Sequence, residues 1–306
     1  MPPINTSRGS ARAEPPPPRL RSLWPALAWP VFWFVRAVES VSFPWLLRLL
    51  LWPLAVVRVL AELRRWPRLR GEFRALPEAL RPAVAFPQRR LRFHLARFLS
   101  YFPDRLAASR WLGRCRFEGW CDWMNDGATP VVFATLHFGA YLTLPYWLRA
   151  CGVRASTLVG EPVQARSSLK RRRYALTPLP QLPVVFSFEE VRSARRHLAA
   201  GNSLVVMMDA ARGRRARVPF ADRFFNAATG AERFAASARA RLVPCLIAET
   251  APWRFTIFFG APVPDEFLHD GRATAHCVDE FLKVIACHPE QCGSEVLRCI
   301  QAPGPP

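Results

Sequence analysis

The chain has 306 residues, of which 51% are apolar, and it carries a formal net charge of +20. This length is enough to bury a core without disulfide bonds, and the charge can attract anionic lipid headgroups, acidic carrier proteins or nucleic acid. The sequence disfavours nucleic acid among these partners, because no recognised binding module is present and the arginines are dispersed over an apolar chain.

Eight cysteines occur without a single CxxC pair. The last four, together with His276 and His288, could be read as a metal cluster, but their gaps of ten, five and seven residues fit no zinc pattern. The sequence therefore predicts scattered reduced thiols in a reducing compartment, with no metal ion and no cofactor.

The N-terminal part of the chain divides into two predicted segments. Residues 1–20 are basic and contain a proline run, which is typical of a disordered tail. Residues 21–66 hold two apolar stretches, 23–35 and 41–57, and neither reaches the roughly 20 clean apolar residues of an easy membrane span. Because arginines flank these stretches, we predict a membrane-associated helical segment with the arginines towards the cytoplasm. A buried helical pair is the alternative.

The rest of the chain, residues 67–306, is predicted to form one domain. Residues 59–128 show the three-to-four spacing of amphipathic helices, and from Pro130 onwards strands alternate with helices. Strands are predicted at 131–137, 156–160, 183–186, 204–208, 242–248 and 255–259, and helices at 139–150, 189–200, 229–240 and 274–286. This alternation indicates an α/β fold with a mostly parallel sheet flanked by helices.

His137 ends the apolar strand 131–137 and immediately precedes a helix. Catalytic and ligand sites of open α/β sheets lie at the carboxyl ends of their strands, and a histidine there can act as a general base at neutral pH. A histidine that is hydrogen-bonded inside the core is the alternative interpretation of this position alone.

Several sequence blocks between residues 110 and 292 resemble those of one bacterial enzyme family. Residues 135–141 read TLHFGAY, residues 203–209 read SLVVMMD and end in Asp209, and residues 288–291 read HPEQ. Three shorter blocks lie between the last two, in the same order and spacing: VPF at 218–220, TG at 229–230 and LVP at 242–244. The pattern is similar to that of the lipid A biosynthesis (late) acyltransferases, within the lysophospholipid acyltransferase-like superfamily.

The resemblance implies a glycerolipid acyltransferase-like fold at the cytoplasmic face of the inner membrane. It also implies transfer of an acyl chain from an acyl carrier protein or acyl-CoA thioester to a lipid hydroxyl, such as that of a lipid A precursor or a lysophospholipid. His137 would be the base and Asp209 a second catalytic residue, although Asp209 could equally cap the arginine-rich loop that follows it. The positions expected to contact substrate are Gly139, Glu161, Arg172, Arg173, Arg212, Thr229 and Gly230.

The arginines among these positions come from two basic runs. Residues 171–173 lie where the family tends to carry an arginine that faces the site, and at most one or two of three adjacent arginines can do so. Arg212 belongs to a predicted basic loop with Arg214, Arg215 and Arg217. Solvent exposure without any partner is the alternative for both runs.

The chain departs from the family at one decisive position. The family places an acid five residues after the histidine, where it orients and charges the imidazole, and this chain has Leu142 there. Three interpretations remain open: another carboxylate replaces the acid, with Asp209 and Glu161 as candidates at strand ends; the enzyme is slow; or the protein binds lipid or a partner without catalysis.

Overall fold

A computed structural model describes residues 53, 56–57, 60, 73–81, 115–159, 185–210, 213–251 and 254–301. All of these belong to one compact unit of the chain, residues 43–306. The predicted tail 1–20 and nearly all of the predicted membrane-associated segment 21–66 lie outside the described residues. Within the described part of the chain, no helix is long and apolar enough to cross a membrane.

A seven-stranded sheet forms the centre of the fold, in the order β1-β9-β8-β2-β5-β3-β4. Its members are β1 (Cys115–Glu118), β2 (Val131–Thr135), β3 (Ala155–Val159), β4 (Val185–Ser187), β5 (Ser203–Met207), β8 (Arg241–Ala251) and β9 (Arg254–Phe259). All neighbours pair in parallel except β8 and β9, which are antiparallel. The predicted mixed, mostly parallel sheet is therefore confirmed.

Helices connect and cover these strands. They are α1 (Leu144–Ala150), α2 (Val191–Ala199), α3 (Gly230–Ala238), α4 (Phe267–Asp270), α5 (Ala273–Cys287) and α6 (Ser294–Cys299). α2 begins after a capping box, in which the Ser187 hydroxyl and the Glu190 carboxylate satisfy backbone N–H groups reciprocally. Of the predicted helices, those at 139–150, 189–200, 229–240 and 274–286 correspond to α1, α2, α3 and α5.

A second, three-stranded antiparallel sheet, in the order β10-β7-β6, lies outside the predicted pattern. It consists of β6 (Arg215–Phe220), β7 (Arg223–Ala228) and β10 (Ile300–Gln301). The prediction of a basic loop is wrong at Arg215 and Arg217, because β6 pairs with β7 through both residues. Arginine side chains on a strand can point away from the sheet while the backbone keeps its hydrogen bonds to the neighbouring strand. The positive charge of this run therefore did not indicate whether its backbone forms a loop or a strand.

Two further differences concern the ends of the alternating region. Helices were predicted throughout residues 59–128, and this is wrong at residues 115–118, which form β1 in parallel register with β9. Pairing with the distant strand β9 determines the secondary structure of this short segment, because the strand preference of a residue depends on its neighbours in the sheet. The helix predicted at 274–286 is the last predicted element and corresponds to α5, but the chain continues after it with α6 and β10.

The core is built on strands that are apolar on both faces. Every residue of β2 is buried, as expected for a central parallel strand. Phe133 in this strand is fully buried and its ring meets that of Phe259 edge to face, with centroids 6.0 Å apart. On α1, the Trp147 ring lies 6.2 Å from that of Phe255 on β9. Packing of this kind fixes the strand ends to which the functional side chains are attached.

The order of the sheet brings two distant chain segments together. β2 and β5 are parallel neighbours, and Thr135 at the end of β2 is paired with Met207 at the end of β5. His137 and Asp209 each stand two residues beyond this last pair. The fold therefore places both at one edge of the sheet, although 72 residues separate them in sequence.

The central position of Phe133 leads to a stability prediction. We expect Phe133→Ala to lower the free energy of unfolding by about 3–5 kcal/mol, because it removes a buried ring and leaves a cavity beside the Phe259 ring. Urea unfolding measures the loss, with an unchanged denaturant slope. As a control, Lys283→Ala on the exposed side of α5 should cost only about 0.5 kcal/mol. A loss of similar size in both variants would contradict the packing described.

Candidate active site

His137 and Asp209 form a closely bonded pair. The imidazole Nδ1 lies 2.8 Å from Asp209 Oδ1, and the backbone N–H of His137 donates to Asp209 Oδ2 over 3.0 Å. The Asp209 side chain is completely buried, whereas 23% of the His137 side chain is exposed. One carboxylate thus holds both the main chain and the ring of the histidine, and the histidine remains open to the surface.

This arrangement determines how the imidazole can work. A carboxylate accepts hydrogen bonds through both oxygens, so it favours the tautomer that carries the proton on Nδ1. Proton exchange with a substrate would then take place at Nε2, and the same carboxylate would stabilise the imidazolium that forms. The pair has the geometry of a general base with its orienting acid.

Leu142 stands five residues after His137 in the sequence. It is half-buried in the 3-10 helix Tyr141–Thr143, which leads into α1. The neighbouring Tyr141 packs its ring edge to face on the His137 ring, with centroids 4.7 Å apart. The carboxylate that contacts the imidazole therefore comes from the end of β5, and not from this helix.

A tight turn carries His137 away from β2. The Phe138 N–H donates to the Leu136 carbonyl at 2.7 Å, which ends the strand earlier than predicted. Gly139 follows with φ +51°, and an added Cβ there would lie 2.0 Å from the Ile247 carbonyl oxygen on β8. These contacts explain the glycine without a ligand, and its assignment to substrate binding stays a prediction.

The HPEQ block lies directly against this turn. The Gly139 N–H donates to the Gln291 carbonyl at 2.9 Å, and the Gly293 N–H donates to the His137 carbonyl at 2.9 Å. Between them, Phe138 and Cys292 form an antiparallel β-bridge. The sequence predicted this block only as part of a resemblance, and no pattern in it indicated that the block holds the turn at residues 137–139.

The turn that carries Asp209 is also tied down. The Cys299 thiol at the end of α6 donates to the Asp209 carbonyl over 3.6 Å, and the Arg215 guanidinium donates to the Ala210 carbonyl over 2.6 Å. Burial, together with the nearby Asp209 charge, raises the pKa of Cys299 to about 11. The thiol therefore keeps its proton at neutral pH and can serve as the donor. Sequence reasoning missed both contacts.

Thr229 and Gly230 are close to the Asp209 turn along the backbone. The Ala228 N–H donates to the Met208 carbonyl at 2.6 Å, and Thr229 donates to the Arg214 carbonyl from both its N–H and its hydroxyl. Gly230 begins α3 and lies against the Val206 side chain of β5. The structure thus brings these two residues to the same end of β5 as Asp209, and their contact with substrate stays a prediction.

Four predicted site residues lie outside the described residues: Glu161, Arg172, Arg173 and Arg212. The cysteines and histidines that the sequence analysis weighed as a metal cluster all lie within the described residues, and all eight cysteines are free thiols. Across the residues that the structure describes, no group of three or more His, Cys, Asp or Glu side chains is arranged to hold a metal ion.

Comparison with known proteins gives a likeness among solved structures only. No protein-family model and no curated protein sequence matches the chain. Among solved structures, it is similar to the 1-acyl-sn-glycerophosphate (LPA) acyltransferase PlsC from Thermotoga maritima, at 12% identity and a TM-score of 0.38. The match covers 86% of this chain and 98% of that chain.

The contact between Gly139 and β8 can be tested by its effect on stability. We expect Gly139→Ala to lower the free energy of unfolding by about 2–4 kcal/mol, because the methyl group overlaps the Ile247 carbonyl and the backbone is left-handed. Gly271→Ala is the matched control, since Gly271 has φ +81° and no atom within 4 Å of an added Cβ. This variant should lose only about 1–2 kcal/mol, from the left-handed backbone alone. Equal losses in urea unfolding would show that the close contact does not matter.

Proposed function

We propose that the chain is a membrane-attached O-acyltransferase, which moves a fatty acyl chain from an acyl thioester to the hydroxyl group of a lipid. The single observation that carries this proposal is the 2.8 Å contact between His137 Nδ1 and the buried Asp209 carboxylate. This contact supplies the orienting acid whose usual position is occupied by Leu142. A histidine held in this way is suited to remove a proton from a hydroxyl group.

The reaction would proceed by general base catalysis. His137 Nε2 takes the proton of the acceptor hydroxyl as the oxygen forms a bond to the thioester carbonyl carbon. The C–S bond then breaks, and the imidazolium returns the proton to the leaving thiolate. Asp209 stays ionised throughout and stabilises the imidazolium while the proton is on the ring.

The membrane part of the proposal rests on the sequence. The apolar stretches 23–35 and 41–57 and the net charge of +20 favour attachment to an anionic membrane surface. We propose the cytoplasmic face of the inner membrane, with the tail, the membrane-associated segment and the catalytic domain divided at residues 20 and 66. A lipid A precursor or a lysophospholipid is the proposed acceptor, and acyl carrier protein or coenzyme A carries the acyl group. Arg172, Arg173 and Arg212 are the proposed contacts for anionic groups of these substrates.

An acyl-transfer assay tests the function directly. Membranes that contain the full chain are supplied with a labelled acyl group on acyl carrier protein or coenzyme A, and with lysophospholipid or lipid A precursor as acceptor. We expect transfer for at least one combination of donor and acceptor. His137→Ala should reduce it by about 10²–10⁴-fold, since the general base is removed, whereas the control His269→Ala, at an exposed position, should have no effect.

Asp209→Asn tests the role of the orienting acid. An asparagine presents one acceptor and one donor, so it cannot accept from both the His137 N–H and Nδ1–H as the carboxylate does. We expect a fall in kcat on the order of 10⁴-fold, because the wrong tautomer is favoured, with the control Asp222→Asn unchanged. A loss below tenfold in a folded Asp209→Asn variant would rule out the paired mechanism.

Leu142→Glu separates catalysis from a noncatalytic, lipid-binding or partner-binding role. If Asp209 already orients His137, the new carboxylate has no vacant position at Nδ1, and we expect kcat to change by less than about threefold. The noncatalytic alternative predicts the opposite: a wild-type chain without transfer activity, which gains it only with Leu142→Glu. Leu282→Glu on α5 is the control variant.

A further inference from the structure

Strand β8 extends further than its neighbour β2. The last residue of β8 that is in register with β2 is Pro244, opposite Ala134, yet β8 continues to Ala251. Its other side is paired with β9 over this stretch. Backbone groups on the β2 side of the extension therefore need partners other than a strand, because buried N–H and C=O groups are costly to leave unpaired.

Gln291 supplies such partners to one residue of the extension. The Glu249 N–H donates to Gln291 Oε1 at 2.9 Å, and Gln291 Nε2 donates to the Glu249 carbonyl at 3.0 Å. A primary amide has the same donor and acceptor as a peptide group, so it can close both bonds at once. Gln291 is itself buried. Its side chain therefore occupies the place that a peptide group of a longer β2 would take.

The main chain around Gln291 also holds the turn formed by residues 137–139, which carries His137. The Gln291 carbonyl accepts from Gly139, and two residues later Gly293 donates to the His137 carbonyl. An added Cβ on Gly139 would lie 2.9 Å from Gln291 Oε1 and 2.0 Å from the Ile247 carbonyl. The turn thus rests on β8 with the Gln291 amide packed beside it, so that a shift of Gln291 must move the backbone of residues 137–139.

The same C-terminal segment reaches the other member of the pair. Beyond Gly293, α6 leads to Cys299, whose thiol donates to the Asp209 carbonyl. Ile300 and Gln301 then pair with β7. One segment, residues 291–301, therefore contacts the main chain of both His137 and Asp209, which follow two different strands.

We infer that Gln291 is a positioning residue for the His137–Asp209 pair: by anchoring residues 291–293 on β8, it sets the distance between the imidazole and the carboxylate. Gln291 acts through His137 rather than on the substrate. The inference deepens the proposed acyl transfer, and its consequence for kcat depends on that function. Its structural part, the pairing of His137 Nδ1 with Asp209, does not.

Two variants of Gln291 separate its effects. Gln291→Met keeps a similar length and volume but removes both bonds to Glu249. Gln291→Glu keeps the acceptor oxygen and places a second oxygen against the Glu249 carbonyl, so that the donor is restored only when the carboxyl is protonated. Gln301→Met is the matched control, because Gln301 is exposed at the edge of the small sheet.

The first readout is the imidazole itself. The full chain, labelled with ¹⁵N in its histidine rings, gives one His137 signal that is identified by its loss in His137→Ala. We expect the wild-type chain and Gln301→Met to show the Nδ1–H tautomer, and Gln291→Met to show a mixture of tautomers. An unchanged His137 signal in folded Gln291→Met overturns the inference, whether or not the chain transfers acyl groups. A chain that lacks acyl transfer but shows the shifted signal contradicts only the proposed function.

The second readout is kinetic. We expect Gln291→Met to lower kcat by about 10–100-fold with KM within about twofold, as for a misplaced catalytic group. For Gln291→Glu, the ratio of its kcat to that of the wild-type chain should rise as the pH falls, since protonation restores the lost donor. If Gln291→Met does not fold, Gln291→Glu decides: a pH-independent ratio near one, with a wild-type ¹⁵N signal, overturns the inference.

Discussion

The site depends on one carboxylate that accepts two hydrogen bonds from the same histidine. Asp209 binds the main-chain N–H and the ring of His137, so the residue is held at two points rather than at its ring alone. The main-chain bond prevents the carboxylate from turning away, and the ring bond selects the tautomer. Because the carboxylate is fully buried, no water competes for these bonds, and a buried charge without such partners would be costly.

The strand order of the sheet makes this contact possible. β2 and β5 are neighbours in the middle of a parallel set, and their carboxyl ends coincide at Thr135 and Met207. Any side chains placed two residues beyond these ends come together without further adjustment. The carboxylate against His137 thus comes from the end of the neighbouring strand. Position 142, where the sequence resemblance led us to expect an acid, is occupied by a half-buried leucine in the 3-10 helix Tyr141–Thr143.

The sequence predicted some parts of this arrangement and could not predict others, for physical reasons. His137 and Asp209 were recognisable because each ends an apolar run, and such runs are typical of buried strands. Their direct contact depends on β2 lying next to β5, and strand order is not encoded in local periodicity. β6 and β7 were missed because the run of arginines that leads into β6 resembles a basic loop. β1 was missed because it pairs with a distant strand: Cys115 lies opposite Phe255, 140 residues further along the chain. The bonds between the Gln291 amide and Glu249 could not be predicted, because they depend on how far β8 extends beyond β2.

The amide of Gln291 has a consequence for association as well. A strand that extends past its neighbour presents unpaired N–H and C=O groups, and such an edge can recruit an extended segment of another chain. At Glu249 both groups are already bonded to Gln291, so they cannot template strand addition at that point. The residue that supports the turn at His137 thereby also occupies backbone groups of β8 to which an extended segment of another chain could otherwise bond.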